Sequence, residues 1–504
     1  MSLPLHERIA AGDSLVRITV DDLDEISTAS SLIPNRLPGL GEQYRFHFDM
    51  KKCIGCRSCE IACNEQNGNP AEIQWRRVGE IEGGTYPNTH RHYLSMGCNH
   101  CLDPDCLRGC PVNAYTKDPV TGIVFHSADA CIGCQYCVWN CPYSVPQFNP
   151  ERGVVGKCDM CHGRLSDGFE PACVNACPEG AIAVEIIDTT AWRADYSAAE
   201  SPGMPAAGQT ISTTRITLPK STATLERVDT DRIRPEHAHL SLVFMTVLMQ
   251  AIVGSLIFLL TFCSMTPMLL TTLLLVTCIA LNISVFHLGR PAYAWRALKM
   301  WKRSWLSREV LLFGLFFVAT ASTTTAIWIH AFNLFFIPQI MLHIAGWIAE
   351  VFGIAGILAS AFIYLVPARP AWNMVHTPID FLLSAGVLGA ATISLVSYSF
   401  PTWPAEVTAA LWIANQSLRL IRLQRAQLFE KRATLSLLNT PLLRAIVIAS
   451  FISIFTFAVS SYNKHHIVAL VAAYIGILLS RYLFFVSVVP LNMALTFVRG
   501  GGDH

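Results

Sequence analysis

The chain divides by hydropathy into a polar first half and an apolar second half. From about residue 240 onward, apolar stretches of roughly twenty residues recur, which is the length that a helix needs to cross a bilayer. The pattern predicts eight membrane spans, at residues 240–263, 267–287, 309–329, 340–365, 378–400, 405–423, 441–462 and 467–489. The sixth has the weakest pattern, because the polar stretch LIRLQRAQ follows a short apolar run. An even number of spans places both ends of the apolar half on one side of the membrane.

Positive charge is distributed unevenly over the loops between these spans. The connections after the second and sixth spans are basic, through Arg290, Arg296, Lys299, Lys302, Arg303 and Arg308 in the first and Arg425, Lys431, Arg432 and Arg444 in the second. The loops on the opposite side, SMTP, HAFNLFFIPQ, FPTWP and NKHH, contain Lys464 as their one lysine or arginine. By the positive-inside rule we expect both termini and the polar half in the cytoplasm. The alternative is that the basic loops bind the polar half itself.

Sulfur is concentrated in the polar half, where sixteen of the eighteen cysteines form four groups. In sequence order the groups are Cys53, Cys56, Cys59 and Cys63; Cys98, Cys101, Cys106 and Cys110; Cys131, Cys134, Cys137 and Cys141; and Cys158, Cys161, Cys173 and Cys177. The first and third share the spacing C-x2-C-x2-C-x3-C, and the middle gap is wider in the other two. Three closely spaced thiolates can wrap one face of a cuboidal iron–sulfur cluster, and the fourth binds the other cluster of a pair. The pattern predicts two ferredoxin modules, one inserted within the other, and four 4Fe-4S clusters.

Other uses of cysteine fit this spacing poorly. Structural zinc usually takes two well-separated C-x2-C pairs, whereas each triplet here has a trailing cysteine. Disulfides favour small secreted scaffolds, and cysteines three residues apart in such turns are poorly placed to bridge. Cys263 and Cys278 lie alone in apolar runs, and we expect them to be packing residues.

The N-terminal sequence and the net charge bear on the location of the protein and on its partners. The first forty residues have no signal-peptide pattern, which leaves the compartment open because a folded complex can be exported on the signal of a partner subunit. The net charge of +1 gives no electrostatic case for binding nucleic acid.

Residues 45–188 resemble the four-cluster electron-transfer subunit of the dimethyl sulfoxide reductase group of molybdenum enzymes. The segments that carry the resemblance are KKCIGCRSCEIAC, WRRVGEIEGG, SMGCNHCLDPDC, CIGCQYCVWNCPYSVPQFN and KCDMC. The resemblance implies four ligand sets with a swapped fourth cysteine: Cys53, Cys56, Cys59 and Cys177; Cys63, Cys158, Cys161 and Cys173; Cys98, Cys101, Cys106 and Cys141; and Cys110, Cys131, Cys134 and Cys137. It also implies that the cluster of the first triplet lies nearest the molybdenum and that of the third triplet nearest the quinol.

The apolar half resembles the anchor subunit of the same group. The resemblance is carried by HLGRPAYAWRALKMWKRSWLSRE, residues 287–309, and elsewhere by hydropathy and span count. We therefore predict an α+β double ferredoxin-like iron–sulfur domain at 45–188, followed by an all-α eight-helix transmembrane bundle at 237–504. An N-terminal extension occupies 1–44, and a linker rich in Pro, Ser, Thr, Gly and Ala occupies 189–236.

Ionisable residues inside a bilayer are functional candidates, because their burial is costly. His287, Glu309, Asp380 and Arg481 all fall at the span ends nearest the iron–sulfur half, and we predict them as a quinone site. A quinone needs hydrogen-bond partners and a proton carrier, and histidine supplies both near neutral pH. His287 and Glu309 also match positions that the family uses or is thought to use for quinol.

Each of the four candidates has a purely structural alternative. The alternative for His287 is an interfacial histidine without a chemical task, and for Glu309 it is a favourable interaction with the helix dipole. Asp380, in the stretch TPID, also fits an ordinary helix start, and Arg481 fits an internal partner for another buried polar group.

The sequence thus predicts the electron-transfer and quinone-reactive membrane anchor of a molybdopterin oxidoreductase complex. We expect a separate molybdopterin catalytic subunit, menaquinone or ubiquinone as the exchangeable substrate, and a bacterial inner membrane in which the protein contacts lipid. The partner subunit could reduce a sulfoxide or oxidise sulfite. The expected cytoplasmic position of the polar half favours the cytoplasmic sulfite dehydrogenase branch of the family.

Two further expectations concern the bundle interior. His287 and His343 lie at opposite ends of their spans, so we expect no haem. Glu350, near mid-membrane, supports an alternative function in which the bundle is a redox-driven ion-translocating module fed by the clusters.

Overall fold

The computed structural model describes residues 32–219, 225–227, 233–397 and 399–491. Its strands, within that described part, are β1 Glu42–Asp49, β2 Arg77–Thr85, β3 Asn88–Met96, β4 Tyr115–Lys117, β5 Val124–His126, β6 Gln147–Asn149, β7 Val154–Gly156, β8 Ile182–Asp188, β9 Arg215–Thr217 and β10 Glu226–Arg227. One sheet has the order β8–β1–β9, with β8 antiparallel and β9 parallel to β1. A second has the order β10–β2–β3, and β4–β5 and β6–β7 are short hairpins.

Strand β1 forms the centre of the first sheet because apolar residues alternate along it. Tyr44, Phe46 and Phe48 point to one face, and all three are buried in the core of the iron–sulfur half.

Among the described residues, the iron–sulfur half has six short α-helices. They are α1 Ser58–Asn67, α2 Asp105–Gly109, α3 Tyr136–Asn140, α4 His162–Ser166, α5 Ala172–Asn175 and α6 Thr189–Ala194. Four of them, α1, α2, α3 and α5, contain the third cysteine of one group. This repetition of a cysteine loop followed by a short helix is the ferredoxin-like architecture that the sequence predicts.

The apolar half forms a helical bundle. In order, its helices are α7 Leu240–Phe262, α8 Pro267–Val285, α9 Trp305–Ala331, α10 Gln339–Ile363, α11 His376–Val396, α12 Trp403–Gln424, α13 Phe429–Leu438, α14 Pro441–Tyr462 and α15 His466–Val486. Seven helices among the described residues are long and apolar enough to cross a membrane. The eighth predicted span is present as α12, a 22-residue helix that is less apolar than the seven.

Small residues allow the central helices α7 and α11 to touch. A Cβ built on Gly254 would lie 1.8 Å from the carbonyl oxygen of Ala385, and one built on Gly389 would lie 2.1 Å from the carbonyl carbon of Gly254. Close backbone approach at small residues is the usual packing mode of membrane helices. Glycine at both positions therefore fixes the crossing around which the other spans pack.

The segment predicted as a linker adds structure to the iron–sulfur half. Strand β9 extends the first sheet and β10 extends the second. Trp192 donates from its indole nitrogen to the carbonyl of Ser212 at 2.8 Å, and Arg193 pairs with Asp103 at 2.7 Å. The predicted domain boundaries stay a prediction, and residues 1–31 of the N-terminal extension lie outside the described residues.

Candidate metal centres and the buried residues beneath them

The sixteen cysteines converge in four places, which we name sites A to D. Site A consists of Cys53, Cys56, Cys59 and Cys177, which line one cavity, and site C consists of Cys98, Cys101, Cys106 and Cys141, which line another. In site B, Cys63 lies close to Cys161 and Cys173, and Cys158 lies close to Cys63. In site D, Cys137 lies close to Cys110, Cys131 and Cys134. The same four groups are those that the resemblance implies as ligand sets, and their role as ligands stays a prediction.

The four sites follow one another through space. Cys59 of site A lies near Cys173 of site B, and Cys158 of site B lies near Cys98 of site C. Tyr115 lies against both Cys106 of site C and Cys137 of site D. The order is therefore A, B, C, D.

Glycine allows the cysteine loops of sites A and D to turn tightly. Gly55 and Gly133 have φ angles of 72° and 70°, in the left-handed region that other residues rarely adopt. Arg57 and Gln135, each directly before its short helix, are also left-handed. Two left-handed residues between the first and third cysteines turn the loop back on itself, so that the three thiols face one point.

The donors around the sites suit clusters rather than single ions. All the cysteines are free, and backbone N–H groups point at their sulfurs, as from Ala114 to Cys110 at 3.3 Å and from Gly133 to Cys131 at 3.4 Å. A cubane needs one thiolate for each of its four irons, and four cysteines line one cavity at site A and another at site C. The residues therefore fit 4Fe-4S clusters.

Burial favours the protonated thiol over the thiolate at these cysteines. It raises the pKa of Cys59 to about 11 and that of Cys63 to about 12. A metal centre that binds the sulfur as thiolate reverses this preference.

Two buried cations accompany the sites, and the sequence interpretation did not single them out. Burial lowers the pKa of Arg76, but the surrounding thiolates outweigh burial and raise it. The largest contributions come from Cys173 of site B and Cys59 of site A. Lys157 lies 3.7 Å from the sulfur of Cys98. Arg76 lies in the segment WRRVGEIEGG, and Lys157 lies directly before Cys158 in KCDMC. Their positions in these segments could have identified them as cations near the cysteine groups.

Site D rests directly on the bundle. After α8, the backbone N–H of Gly289 donates to the carbonyl of Gly133 at 3.3 Å, and that of Arg290 donates to Ile132 at 3.1 Å. Ile132 and Gly133 lie between Cys131 and Cys134 of site D. We call the end of the bundle that carries these contacts its proximal end.

The basic connection between α8 and α9 also binds the iron–sulfur half through side chains. Arg290, Arg296 and Arg303 donate to Ala128, Asp129 and Asn113 at 2.9, 2.9 and 3.1 Å. The basic loop between α8 and α9 therefore binds the polar half, which is the alternative explanation that the sequence left open for its positive charge.

Trp139, two residues after Cys137, inserts into the proximal end. Its ring lies 5.5 Å from His239, 5.8 Å from Tyr364 and 5.5 Å from Trp372, measured between ring centroids. Trp139 was not predicted as a site residue, although its place between two cysteines of one group was visible.

His287 forms one edge of this region. Its Nδ1 is hydrogen-bonded to the carbonyl of Ser284 at the end of α8. His239, directly before α7, lies close to His287 and packs its ring 5.0 Å from that of the exposed His237. Three histidines thus lead from the region of Trp139 to the surface, and two of them were missed by the sequence interpretation.

Glu309 and Arg481 both lie close to Tyr364, whose ring packs against Trp139. Glu309 is buried in α9, close to Tyr136 of α3 and to Tyr364. Arg481 of α15 also lies close to Tyr364. Glu309 and Arg481 are therefore connected to Trp139 through Tyr364, and His287 is connected to it through His239.

Asp380 and Arg481 are joined as an ion pair at 3.3 Å, and Arg481 is only 1% exposed. Gln416 donates to Asp380, and Arg481 donates to Gln250 at 3.1 Å. This internal pair is the structural alternative that the sequence left open for Arg481.

Glu350 stands apart from these residues. It is 0% exposed in α10, and neither of its carboxyl oxygens has a hydrogen-bond partner among the described residues.

Comparison with known proteins covers both halves. Residues 236–499, more than half of the sequence, match the family model described as DMSO reductase anchor subunit (DmsC). This protein belongs to the dimethyl sulfoxide reductase family. Residues 89–186 match the model described as a 4Fe-4S dicluster domain, so this family member joins the iron–sulfur electron-transfer subunit and the multi-pass membrane anchor in one polypeptide. The resemblance predicted from the sequence is confirmed.

The iron–sulfur half has curated relatives in the same family. It is similar to a chain of the anaerobic dimethyl sulfoxide reductase of Haemophilus influenzae, with 38% identity over 173 residues, 32% of this chain and 84% of that protein. It is also similar to the corresponding chain of the Escherichia coli K12 enzyme, with 40% identity over 154 residues, 29% of this chain and 75% of that protein. The probable anaerobic dimethyl sulfoxide reductase chain YnfG of the same strain is 42% identical over 144 residues, 27% of this chain and 70% of that protein.

Proposed function

We propose that this family member relays electrons between membrane quinone and a separate molybdopterin catalytic subunit through four 4Fe-4S clusters, one in each of sites A to D. The quinone is menaquinone or ubiquinone, and the membrane is the bacterial inner membrane. The names of the relatives support an oxidoreductase complex, because they are chains of dimethyl sulfoxide reductases. The proposed ligands are the sixteen cysteines of the four sites.

One observation carries the proposal: the cysteine loop of site D is hydrogen-bonded to Gly289 and Arg290, which closely follow the candidate His287. An electron that leaves a quinone at the proximal end therefore meets site D first and site A last. Site A is the end of the series at which a catalytic subunit would dock.

The clusters supply one-electron transfer, and the residues of the protein supply binding and proton transfer. Oxidation of one quinol yields the quinone, two electrons and two protons. Nδ1 of His287 is engaged with Ser284, so Nε2 is the atom left to hydrogen-bond a quinone oxygen and accept its proton. His239 and His237 then continue towards solvent.

Glu309 supplies a second candidate proton acceptor. It is buried between α9 and α3 and lies beside Tyr136, the neighbour of Cys137. A carboxylate there serves the other quinone oxygen, while Asp380 and Arg481 hold the helices that line the region. Electron flow follows the relative potentials of the quinone and the clusters, so the same residues serve reduction and oxidation of the quinone.

We place the iron–sulfur half in the cytoplasm. The basic residues between α8 and α9 bind that half, so they are not independent evidence of membrane orientation. The positive-inside rule is therefore applied to the loop after α12, which contains Arg425, Lys431 and Arg432.

Ion translocation is a second candidate, favoured by Glu350 alone. A carboxyl group that is fully buried in a span without a partner is costly and is retained where it has a task. Proteoliposomes that release more protons to the outside than quinone chemistry accounts for, and lose the excess with Glu350→Gln, would establish this function. A stoichiometry equal to the chemical one excludes it.

The main proposal is tested with His287→Gln in the purified complex. We expect quinol-dependent reduction of the clusters to slow by about 10²-fold or more, because a positioned proton carrier contributes at least that much. Reduction by dithionite and the cluster spectra should be unchanged. Normal quinol-dependent reduction would remove His287 from the site.

A further inference from the structure

A small cleft between α12, α14 and α15 is lined by apolar side chains and by a polar group of residues within the bundle. Six residues form the polar group, namely Trp412, Gln416, Arg419, Ser450, Ser480 and Ser487. Arg419 lies five residues before the proximal end of α12, and Ser487 directly follows α15, so the cleft belongs to the membrane leaflet on the side of the iron–sulfur half.

The charges around Arg419 do not balance. Among the described residues, the ionisable groups close enough to interact with it are Asp380 and Arg481, and its guanidinium lies 5.8 Å from the centre of the Phe484 ring. Asp380 is already paired with Arg481 at 3.3 Å and accepts a hydrogen bond from Gln416. Within the part of the chain that the structure describes, two arginines therefore share one carboxylate, and a cation in a low-dielectric environment without a counterion is strongly unfavourable.

An unused donor points to the same cleft. Trp412 is one of the residues that line it, its side chain is 0% exposed, and its indole nitrogen has no hydrogen-bond partner among the described residues. Buried polar groups are nearly always hydrogen-bonded, so the donor calls for an acceptor that enters from outside the protein. Guanidinium, indole and hydroxyl groups together form a set of donors.

We propose that this cleft binds the headgroup of an anionic phospholipid of the proximal leaflet. A phosphate supplies the missing negative charge beside Arg419 and pairs well with a guanidinium, and its other oxygens can accept from Trp412, Ser480 and Ser487. Basic clefts between membrane helices on this side are suited to anionic headgroups. The alternative for Arg419 is that its side chain extends to the water at the interface and binds nothing.

Arg422 provides a matched control for Arg419. It lies on the same helix one turn later and is exposed. Phospholipids that co-purify with the full-length protein in mild detergent are identified by mass spectrometry for the unchanged protein, Arg419→Gln and Arg422→Gln. We expect about one tightly held anionic phospholipid per protein molecule, reduced roughly fivefold or more by Arg419→Gln and retained with Arg422→Gln. Equal lipid content in all three overturns the proposal.

A second measurement separates the lipid from free phosphate and from a folding defect. The delipidated protein is heated with phosphatidylcholine alone, with added phosphatidylglycerol, or with inorganic phosphate. We expect only phosphatidylglycerol to raise the unfolding temperature, and Arg419→Lys, which keeps the charge, to retain the response that Arg419→Gln loses. An equal rise with inorganic phosphate, or no dependence on the charge at residue 419, contradicts the proposal.

Discussion

Gly289 and Gly153 are in backbone contact across the boundary between the two halves of the protein. A Cβ built on Gly289 would lie 2.2 Å from the carbonyl oxygen of Gly153, and one built on Gly133 would lie 2.4 Å from the same oxygen. Three glycines therefore let the loop that follows α8 reach the cysteine loop of site D. The distance between the proposed quinone site and site D depends on this contact.

Gly289→Ala is expected to separate the two halves locally. The added methyl group must displace the backbone of Gly153, and misplacement by about 1 Å can lower a rate on the order of 10²-fold. Quinol-dependent cluster reduction should fall while iron content stays normal. Gly314→Ala is the control, because a Cβ there meets nothing within 4 Å. Equal rates for both variants would show that the contact does not matter.

His239→Gln is expected to slow quinol-dependent cluster reduction without changing the cluster spectra. The variant interrupts the path from His287 to the exposed His237, and a positioned proton carrier contributes about 10²-fold or more. Added imidazole should restore part of the rate, which a purely structural defect would not allow. The exposed His465, at the opposite end of the bundle, is the control as His465→Gln. A slow rate that imidazole leaves unchanged would contradict the path.

Arg76→Gln is expected to lower the midpoint potentials of sites A and B. A buried positive charge beside the thiolates favours the reduced cluster, so its removal makes reduction harder. We expect the midpoint potentials to fall by about 60 mV, which corresponds to ~1.4 kcal/mol for a one-electron couple. Redox titration followed by electron paramagnetic resonance measures it. Arg91→Gln, at an exposed ion pair on β3, should leave the potentials unchanged; a shift equal to that of Arg76→Gln would argue against a local effect.

Asp380→Asn is expected to destabilise the bundle more than Arg481→Gln. Removal of the carboxylate leaves both Arg481 and Arg419 without it, and an uncompensated buried charge costs about 3–5 kcal/mol. After Arg481→Gln, Asp380 still faces Arg419 and Gln416. Unfolding in detergent, followed by helical circular dichroism, compares the two. The reverse order of stability would contradict the charge balance described here.

The architecture was predictable because it depends on local patterns. Apolar runs of membrane-spanning length gave the helices α7 to α11, α14 and α15 within a few residues. Even α12, whose Arg419 and Arg422 weaken its hydropathy, forms where the sequence predicts it. The cysteine spacing likewise gave the ferredoxin-like half, since the turn geometry of a cysteine triplet is set within a few residues.

The contacts between the two halves were not predictable in the same way. The sequence marks Trp139 only as a residue between two cysteines and His239 only as the residue before the first predicted span. The fold brings their rings to within 5.5 Å of each other. The pairing of Asp380 with Arg481 likewise joins residues one hundred and one positions apart on different helices. The ligand sets and the quinone residues stay predictions that the experiments above address.

The central claim is that the sixteen clustered cysteines hold four 4Fe-4S clusters in series. Iron and acid-labile sulfide analysis of the purified full-length protein tests it most directly. We expect about sixteen of each per protein molecule, because each of the four sites holds four irons and four sulfides. A content close to half of that value, or zinc in place of iron, would contradict the account.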